Sequence, residues 1–237
     1  MERQFVYENI AFDYQLFLEK RKTVSLTVFP NQSVVVKAPK RAARSKIEDF
    51  LRRKSRWVLK QQRYFATFKP RAKKEYVSGE TFRYLGRSYK LLVRKTEEDE
   101  HVSLRYGTLI AFSRCPENAL KTKKLIHDWY SEKARKHFSE RLKACIREYG
   151  IVNPPGLVIR LMKSRWGSYS RRTDRICLNL RLIQASKDQI DYVITHELCH
   201  IKHAGHDRRF YSLLSRRLPG WKQAKTALEL SLNHCSL

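Results

Sequence analysis

Residues 196–206 read His-Glu-Leu-Cys-His-Ile-Lys-His-Ala-Gly-His. On a helix, positions four apart share a face, so His196 and His200 can aim both imidazoles at one metal ion. Glu197 stands beside them, where a carboxylate can take a proton from a water that the ion holds. His206, six residues past His200, is a candidate third ligand. Three protein ligands with an open position for water describe a catalytic zinc site rather than a structural one. His203 is the rival for the third place. On a continuous helix it would lie two turns from His196, about 10 Å along the axis, a span that one ion does not easily bridge, and His206 is favoured. Cys199 points off the midline of the ligand face and reads as a small core residue. Asp207 reads as the N-cap of a following helix, Arg208–Leu218.

These ligands need a rigid support, and the preceding segment supplies one. Ser186 is an N-cap and Gln189 completes a capping box. Ile190, Val193, Ile194, Leu198 and Ile201 then recur at helical spacing, which predicts a helix anchored in a core. Gly205 is the expected stop, from which His206 swings back towards the metal.

At 237 residues, with 42% hydrophobic residues and twelve tyrosines, the chain is long enough to bury an ample core. Its formal net charge is +27, which attracts polyanions and opens contact with nucleic acid or nucleotides. Five cysteines, at 115, 145, 177, 199 and 235, are scattered singly, a pattern of reduced thiols in a cytosolic compartment rather than a disulfide framework. The N-terminal residues lack the apolar stretch of a signal peptide, and no apolar run approaches a membrane span. The expectation is a cytoplasmic protein with no membrane partner.

Along the chain, Thr23–Phe29 and Ser33–Lys37 flank the turn cluster Pro30-Asn31-Gln32 and predict a hairpin. Ser45, with Glu48 three residues on, opens a helix to about Phe65, with Ile47, Phe50, Leu51, Trp57, Val58 and Leu59 on its apolar face. From Lys37 to Lys74 there are fifteen basic residues against Glu48 and Asp49, either a solvated face or one that binds polyanions. Residues 81–113 read as two more hairpins turning at Gly86 and Gly107. A long helix follows from Glu117 to Tyr149, carrying Leu120, Leu125, Trp129, Ala134, Phe138, Leu142 and Ile146, with Gly150 as its stop. After Pro154-Pro155-Gly156 come a strand from Leu157 and a hairpin around Arg171–Asp174. No internal repeat is visible. The division expected is a basic, β-rich part over residues 1–115, with one amphipathic helix, and an α+β metal-binding part over 116–237. An edge strand beside the motif helix would suit strand addition by an extended peptide.

Several segments now fall in order: Lys163-Ser-Arg-Trp-Gly-Ser, Leu178-Asn-Leu, Asp191-Tyr-Val-Ile-Thr-His-Glu-Leu-Cys-His and His206-Asp-Arg-Arg-Phe-Tyr, preceded by Val34-Val-Val-Lys-Ala-Pro, Phe50-Leu-Arg-Arg-Lys-Ser-Arg-Trp-Val, Tyr84-Leu-Gly-Arg and Trp129-Tyr. Together they resemble the YgjP-like metallopeptidase domain family, relatives of the SprT and WLM zinc proteases, over nearly the whole chain. The resemblance implies an α+β fold with a zincin-like catalytic half, a small sheet plus the H-E-x-x-H helix. It implies metal ligands at His196, His200 and His206 and a general base at Glu197. The chain departs from the family pattern at Tyr169, where the family usually has Cys, and at Asp207 and Tyr211, where Ser and Trp are common; none is a proposed ligand. In the Arg-Trp-Gly-Ser segment, Arg165 is the stronger substrate-binding candidate, since a guanidinium beside a metal can hold a carboxylate, phosphate or oxyanion. Trp166 reads first as an aromatic covering the metal helix, and Tyr169 completes the substrate-binding candidates.

The functional expectation is therefore a zinc-dependent hydrolase with one divalent ion per chain, acting on a peptide or protein substrate. The alternative is a metal-dependent nucleoside triphosphate hydrolase that cleaves a phosphoanhydride. The third reading is a nucleic-acid-associated protein, or a protease recruited by DNA, with the 37–74 region as its contact.

Overall fold

Residues 10–19 place Phe12, Tyr14 and Leu16 in the core between more exposed neighbours, and that period of two makes β2 (Ile10–Glu19). In the computed structural model, which describes residues 2–29, 31–66, 74–162 and 165–232, β2 pairs antiparallel with β1 (Glu2–Tyr7). This hairpin was not anticipated, although the alternation was there to be read. β3 (Ser25–Val28) and β4 (Val34–Pro39) form the expected hairpin. The Gln32 N–H donates to the Phe29 carbonyl at 2.8 Å across its turn; Pro30 lies outside the described residues. β4 also runs parallel to β2, giving the order β1-β2-β4-β3.

Helix α1 (Arg44–Ala66) lays Ile47, Leu51 and Val58 into a core with Phe5, Phe12 and Val36. The capping box expected at Ser45 does not form. The helix begins one residue earlier, Ser45 falls within its first turn, and Glu48 instead accepts a 2.8 Å hydrogen bond from Arg44 Nε. Trp57, expected on the apolar face, is 42% exposed.

The scheme then recurs. β5 (Thr81–Tyr84) with β6 (Arg87–Lys95), and β7 (His101–Arg105) with β8 (Thr108–Ser113), are antiparallel hairpins joined by a parallel β6–β8 pair in the order β5-β6-β8-β7. Helix α2 (Ala119–Glu148), capped by Asn118, follows as α1 follows the first sheet. A topology of four strands and a helix is thus repeated without a repeat in sequence. In α2, Ile126, Tyr130, Ala134, Phe138 and Leu142 recur every fourth residue and are buried, whereas Leu120 in its first turn is exposed.

The chain divides into Met1–Arg71 and Ala72–Leu237, so the boundary expected after residue 115 lies instead after 71. The reason is a shared core. Phe82, Leu91, Leu109 and Ala111 of the second sheet belong to one apolar cluster with α2 and with Ile183, Ile190 and Leu198. The N–H groups of Leu85 and Gly86 also donate to the carbonyls of Ile183 and Gln184, at 3.0 and 3.2 Å.

A third sheet completes this unit. β10 (Gly167–Ser170) pairs antiparallel with β11 (Arg175–Asn179), which runs parallel to β9 (Gly156–Arg160); the order β10-β11-β9 leaves β10 at an edge. A 3-10 turn (Leu180–Gln184) leads to α3 (Lys187–Cys199), then α4 (Arg208–Arg217) and α5 (Trp221–Leu232). The capping box of Ser186 and Gln189 is formed in both directions. Arg141 of α2 pairs with Asp191 of α3 through two guanidinium nitrogens, fixing the motif helix against the longest helix. The architecture is α+β, with a small sheet beside the motif helix. Among the described residues no helix is long and apolar enough to cross a membrane.

Gly86 couples the second sheet to α3. Its φ is +81°, and a Cβ there would lie 3.0 Å from the Cβ of Ser186, the cap of α3. Gly86→Ala is expected to cost about 1–3 kcal/mol from left-handed strain and overpacking. Gly79, with φ +93° and open space around it, serves as the strain-only reference. Equal losses for the two alanine variants in thermal denaturation would show that the contact with Ser186 carries no weight.

Candidate metal centre

Helix α3 presents His196 and Glu197 in its last turn and His200 as its C-cap. The helix ends at Cys199, well before Gly205, so Gly205 is not its stop. His200 retains helical angles (φ −67°, ψ −17°), and the centroids of its ring and that of His196 are 5.1 Å apart. The chain released after His200 returns His206, with ring centroids 4.9 and 4.8 Å from His196 and His200. One ligand nitrogen from each of the three rings lies within 4.8 Å of the others. Two nitrogens bound to one tetrahedral zinc are separated by about 3.3 Å; His196 Nε2 and His206 Nε2 are 3.0 Å apart.

His203 is not among the converging rings, but its backbone matters. Its carbonyl accepts a 2.9 Å hydrogen bond from His200 Nδ1. A carbonyl only accepts, so the proton is on Nδ1 and the lone pair is on Nε2, which is the tautomer a metal ligand requires. Phe210 forms the floor, with its ring centroid 4.9, 4.8 and 4.7 Å from those of His196, His200 and His206. Asp207 caps α4 by accepting from the Phe210 N–H at 2.8 Å, so the cap residue and the ring beneath the histidines are positioned together. Cys199 is buried outside the cluster.

Electrostatics favour the uncharged form of His196 and His206. Burial, then the neighbouring His200 and His206, push His196 down to about 4. Burial and His200 lower His206. A neutral imidazole is the metal-binding form, and His196 Nδ1 is buried with no partner among the described residues. Three such donors suit zinc. Glu197 is nearly fully buried, and burial raises its carboxyl to about 7 against the opposing pull of the Tyr169 backbone and Arg165. A divalent cation bound beside it would favour the ionised form.

The histidines and Glu197 line a pocket of about 470 Å³ with Arg165, Gly167, Ser168, Tyr169 and Arg171. Two features that hold this wall were not evident from sequence. Gly167 is the first. A Cβ there would lie 2.7 Å from Glu197 Oε1 and 2.9 Å from Val193 Cγ1, so only glycine lets β10 pass so close to α3. Asn179 is the second, a buried side chain whose Nδ2 donates to the carbonyls of Met162 and Arg165, both at 2.9 Å, while Oδ1 accepts from the Met162 and Arg181 N–H groups. It clamps both ends of the segment that delivers Arg165; Lys163 and Ser164 lie outside the described residues. Gly167 and Asn179 both stand in segments singled out above, but a glycine between Trp and Ser, or an asparagine between leucines, does not announce a close approach or a clamp.

Of the substrate-binding candidates, Arg165 is exposed at the pocket and Tyr169 lines it, with its hydroxyl donating to Asp174 at 2.9 Å. Trp166 is half-buried against the core and does not line the pocket. Arg171, which was not anticipated, does, with its guanidinium donating to the Ile201 carbonyl at 3.1 Å.

A family model described as "YgjP-like, metallopeptidase domain" matches residues 22–231. Comparison with curated protein sequences returned no match. Among solved structures, the metallopeptidase zymogen abylysin of Pyrococcus abyssi is 20% identical with a TM-score of 0.39, over 42% of this chain and 99% of that one. The metallopeptidase zymogen jannalysin of Methanocaldococcus jannaschii is 21% identical with a TM-score of 0.35, over 38% and 90%.

Purified metal-free protein titrated with Co²⁺ is expected to take up one ion per chain with the absorption of a tetrahedral nitrogen site. His200→Ala and His206→Ala should each weaken uptake at least tenfold, whereas His203→Ala, which keeps the carbonyl, should not. Unchanged uptake in His206→Ala would remove it from the ligand set.

Proposed function

The chain belongs to the YgjP-like metallopeptidase domain family, and from that premise we propose that it cleaves peptide bonds with a zinc ion held by His196, His200 and His206 and with Glu197 as general base. The observation that carries this reading is the convergence of three imidazole nitrogens within 4.8 Å of one another on a pocket that Glu197 also lines. When bound there, zinc supplies a Lewis acid that polarises a carbonyl and makes water acidic, with a pKa of about 7.

The remaining steps fall to the chain's own groups. Glu197, anchored through α3 and packed beneath Gly167, accepts the proton of the attacking water and passes it to the leaving amine. Arg165 and Arg171 at the pocket supply positive charge for an oxyanion or for an acidic group of the substrate. β10 is an edge strand whose Gly167–Tyr169 segment lines the same pocket. An extended polypeptide adding alongside it would be led past the histidines with its backbone paired.

The two pocket arginines also favour a second reading, in which the substrate carries phosphate and the bond cleaved is a phosphoanhydride. Assays on unfolded polypeptides and on nucleoside triphosphates, each with and without chelator, separate the two.

Glu197→Gln should keep one metal ion per chain and lower the rate of hydrolysis by about 10²–10⁴-fold. Chelation should abolish the activity of the unaltered protein, and zinc should restore it. Full activity in the glutamine variant with metal bound would remove Glu197 as the base. Activity that survives complete removal of metal would overturn the metallohydrolase mechanism.

A further inference from the structure

Helix α1 carries a second chemical pattern, in the unit that does not hold the histidines. Ile47, Leu51 and Val58 bury one side of it. On the opposite side, Arg53, Arg56, Lys60 and Arg63 recur at intervals of three and four residues, and all four are exposed. Neighbours at those spacings lie side by side on a helix, where like charges destabilise it. A helix face that serves only solvation mixes its signs. This one does not. The two acids of α1 pair off the stripe, with arginines of the neighbouring groove: Glu48, which also lines that groove, with Arg44 at 2.8 Å and Asp49 with Arg52 at 3.8 Å. No ion pair is formed by any of the four stripe cations among the described residues.

Beside the stripe, Arg52 lies one turn from Arg56 and also lines a groove of about 550 Å³ between α1 and β1, with Arg3 and Arg44. The Arg52 guanidinium is held over the Tyr7 ring at 5.0 Å. Trp57, 42% exposed, rises from the same helix surface. Repulsion among uncompensated cations is thus concentrated on one straight element, with an aromatic among them.

We propose that the solvent face of α1 from Arg53 to Arg63, continued by the arginine groove beside β1, binds the phosphate backbone of nucleic acid. The dimensions agree. Ten residues of helix span about 15 Å, and a duplex strand presents a phosphate every 3.4 Å of axis, so four cations face about four phosphates. Arginine forks match phosphate oxygens, and neutralising those phosphates releases their counterions. A membrane surface fits less well, because an interfacial helix needs its apolar face free and the apolar face of α1 is spent on its own sheet. The part of the basic region over residues 67–73 lies outside the described residues and has no place in the argument.

The test uses the full chain and a fluorescein-labelled 20-base-pair duplex of arbitrary sequence, followed by anisotropy from about 50 to 300 mM salt. Steep salt dependence is expected. The R53E/R56E/K60E variant should lose at least tenfold in affinity at about 150 mM salt, and its slope of log affinity on log salt should fall by roughly 0.9 for each phosphate contact removed. The control is K124E/R135E/K136E, which reverses three exposed cations of α2 and alters net charge equally; it should bind within about twofold of the unaltered protein. Melting temperatures check that both variants fold, and the stripe variant should melt no lower. Equal losses in the two variants would reduce the effect to bulk charge and overturn the proposal. So would absence of binding, or tighter association with phosphatidylserine vesicles than with the duplex. Glu197→Gln should bind the duplex unchanged, which keeps this result separate from that of the hydrolytic reading.

Discussion

The close approach between sheet and helix, Gly167 against Glu197, is the constraint on which the candidate site depends. Without a side chain at 167, β10 can lie over the carboxylate and bury it. Any larger residue must displace the side chains of Glu197 and Val193 on the helix that carries His196. Everything else about the pocket follows from that separation. Tyr169 brings its backbone to Glu197, Arg165 and Arg171 line the pocket, and the acid is nearly fully buried. The supports are equally specific. Asn179 holds the segment before β10, Arg141 and Asp191 lock α3 to α2, and the 3-10 turn that starts α3 is bonded to the β5–β6 turn.

What could be read in the sequence was local. The Ser186–Gln189 capping box, the buried stripe of α3, the spacing of His196 and His200 and the cap at Asp207 all act within one or two turns of chain, where residue type and period decide the outcome. The third histidine was readable from the same stretch because the helix could not place His203 within reach of His196. The features missed depend on what lies across from a residue. Gly205 looked like a helix stop, yet the hydrogen bond from His200 to the His203 carbonyl belongs to a turn that ends the helix at Cys199. Trp57 matched the apolar period of α1 but is 42% exposed and does not join the core that α1 shares with its sheet. The boundary after residue 115 followed the shift from strands to helices, whereas burial follows the cluster that the second sheet shares with α2 and α3.

Parallel pairing of β2 with β4 and of β6 with β8 was also beyond a reading of single segments. Two consecutive hairpins suggest an antiparallel meander, and only the assembled sheet reveals a central parallel pair. Because both sheets are followed by a long helix, the two units share one plan and differ in its use. The first closes its core with a single helix and leaves that helix's outer side to solvent and charge. The second packs its helix against α3 and adds a third sheet and two further helices, and there the histidines are found.

The three converging histidines differ in how they are held. His196 is held inside a capped helix, His200 ends that helix, and His206 stands exposed on the connection to α4. If the three rings hold an ion as proposed, loosening that connection would free one imidazole without unwinding any helix and leave the ion two protein donors. On the proposed ligand set, the residence time of a bound metal would depend on a short surface turn and the Asp207 cap that ends it, and the geometry of the bound state on the interior. Release of a metal so held would not require any helix to unfold.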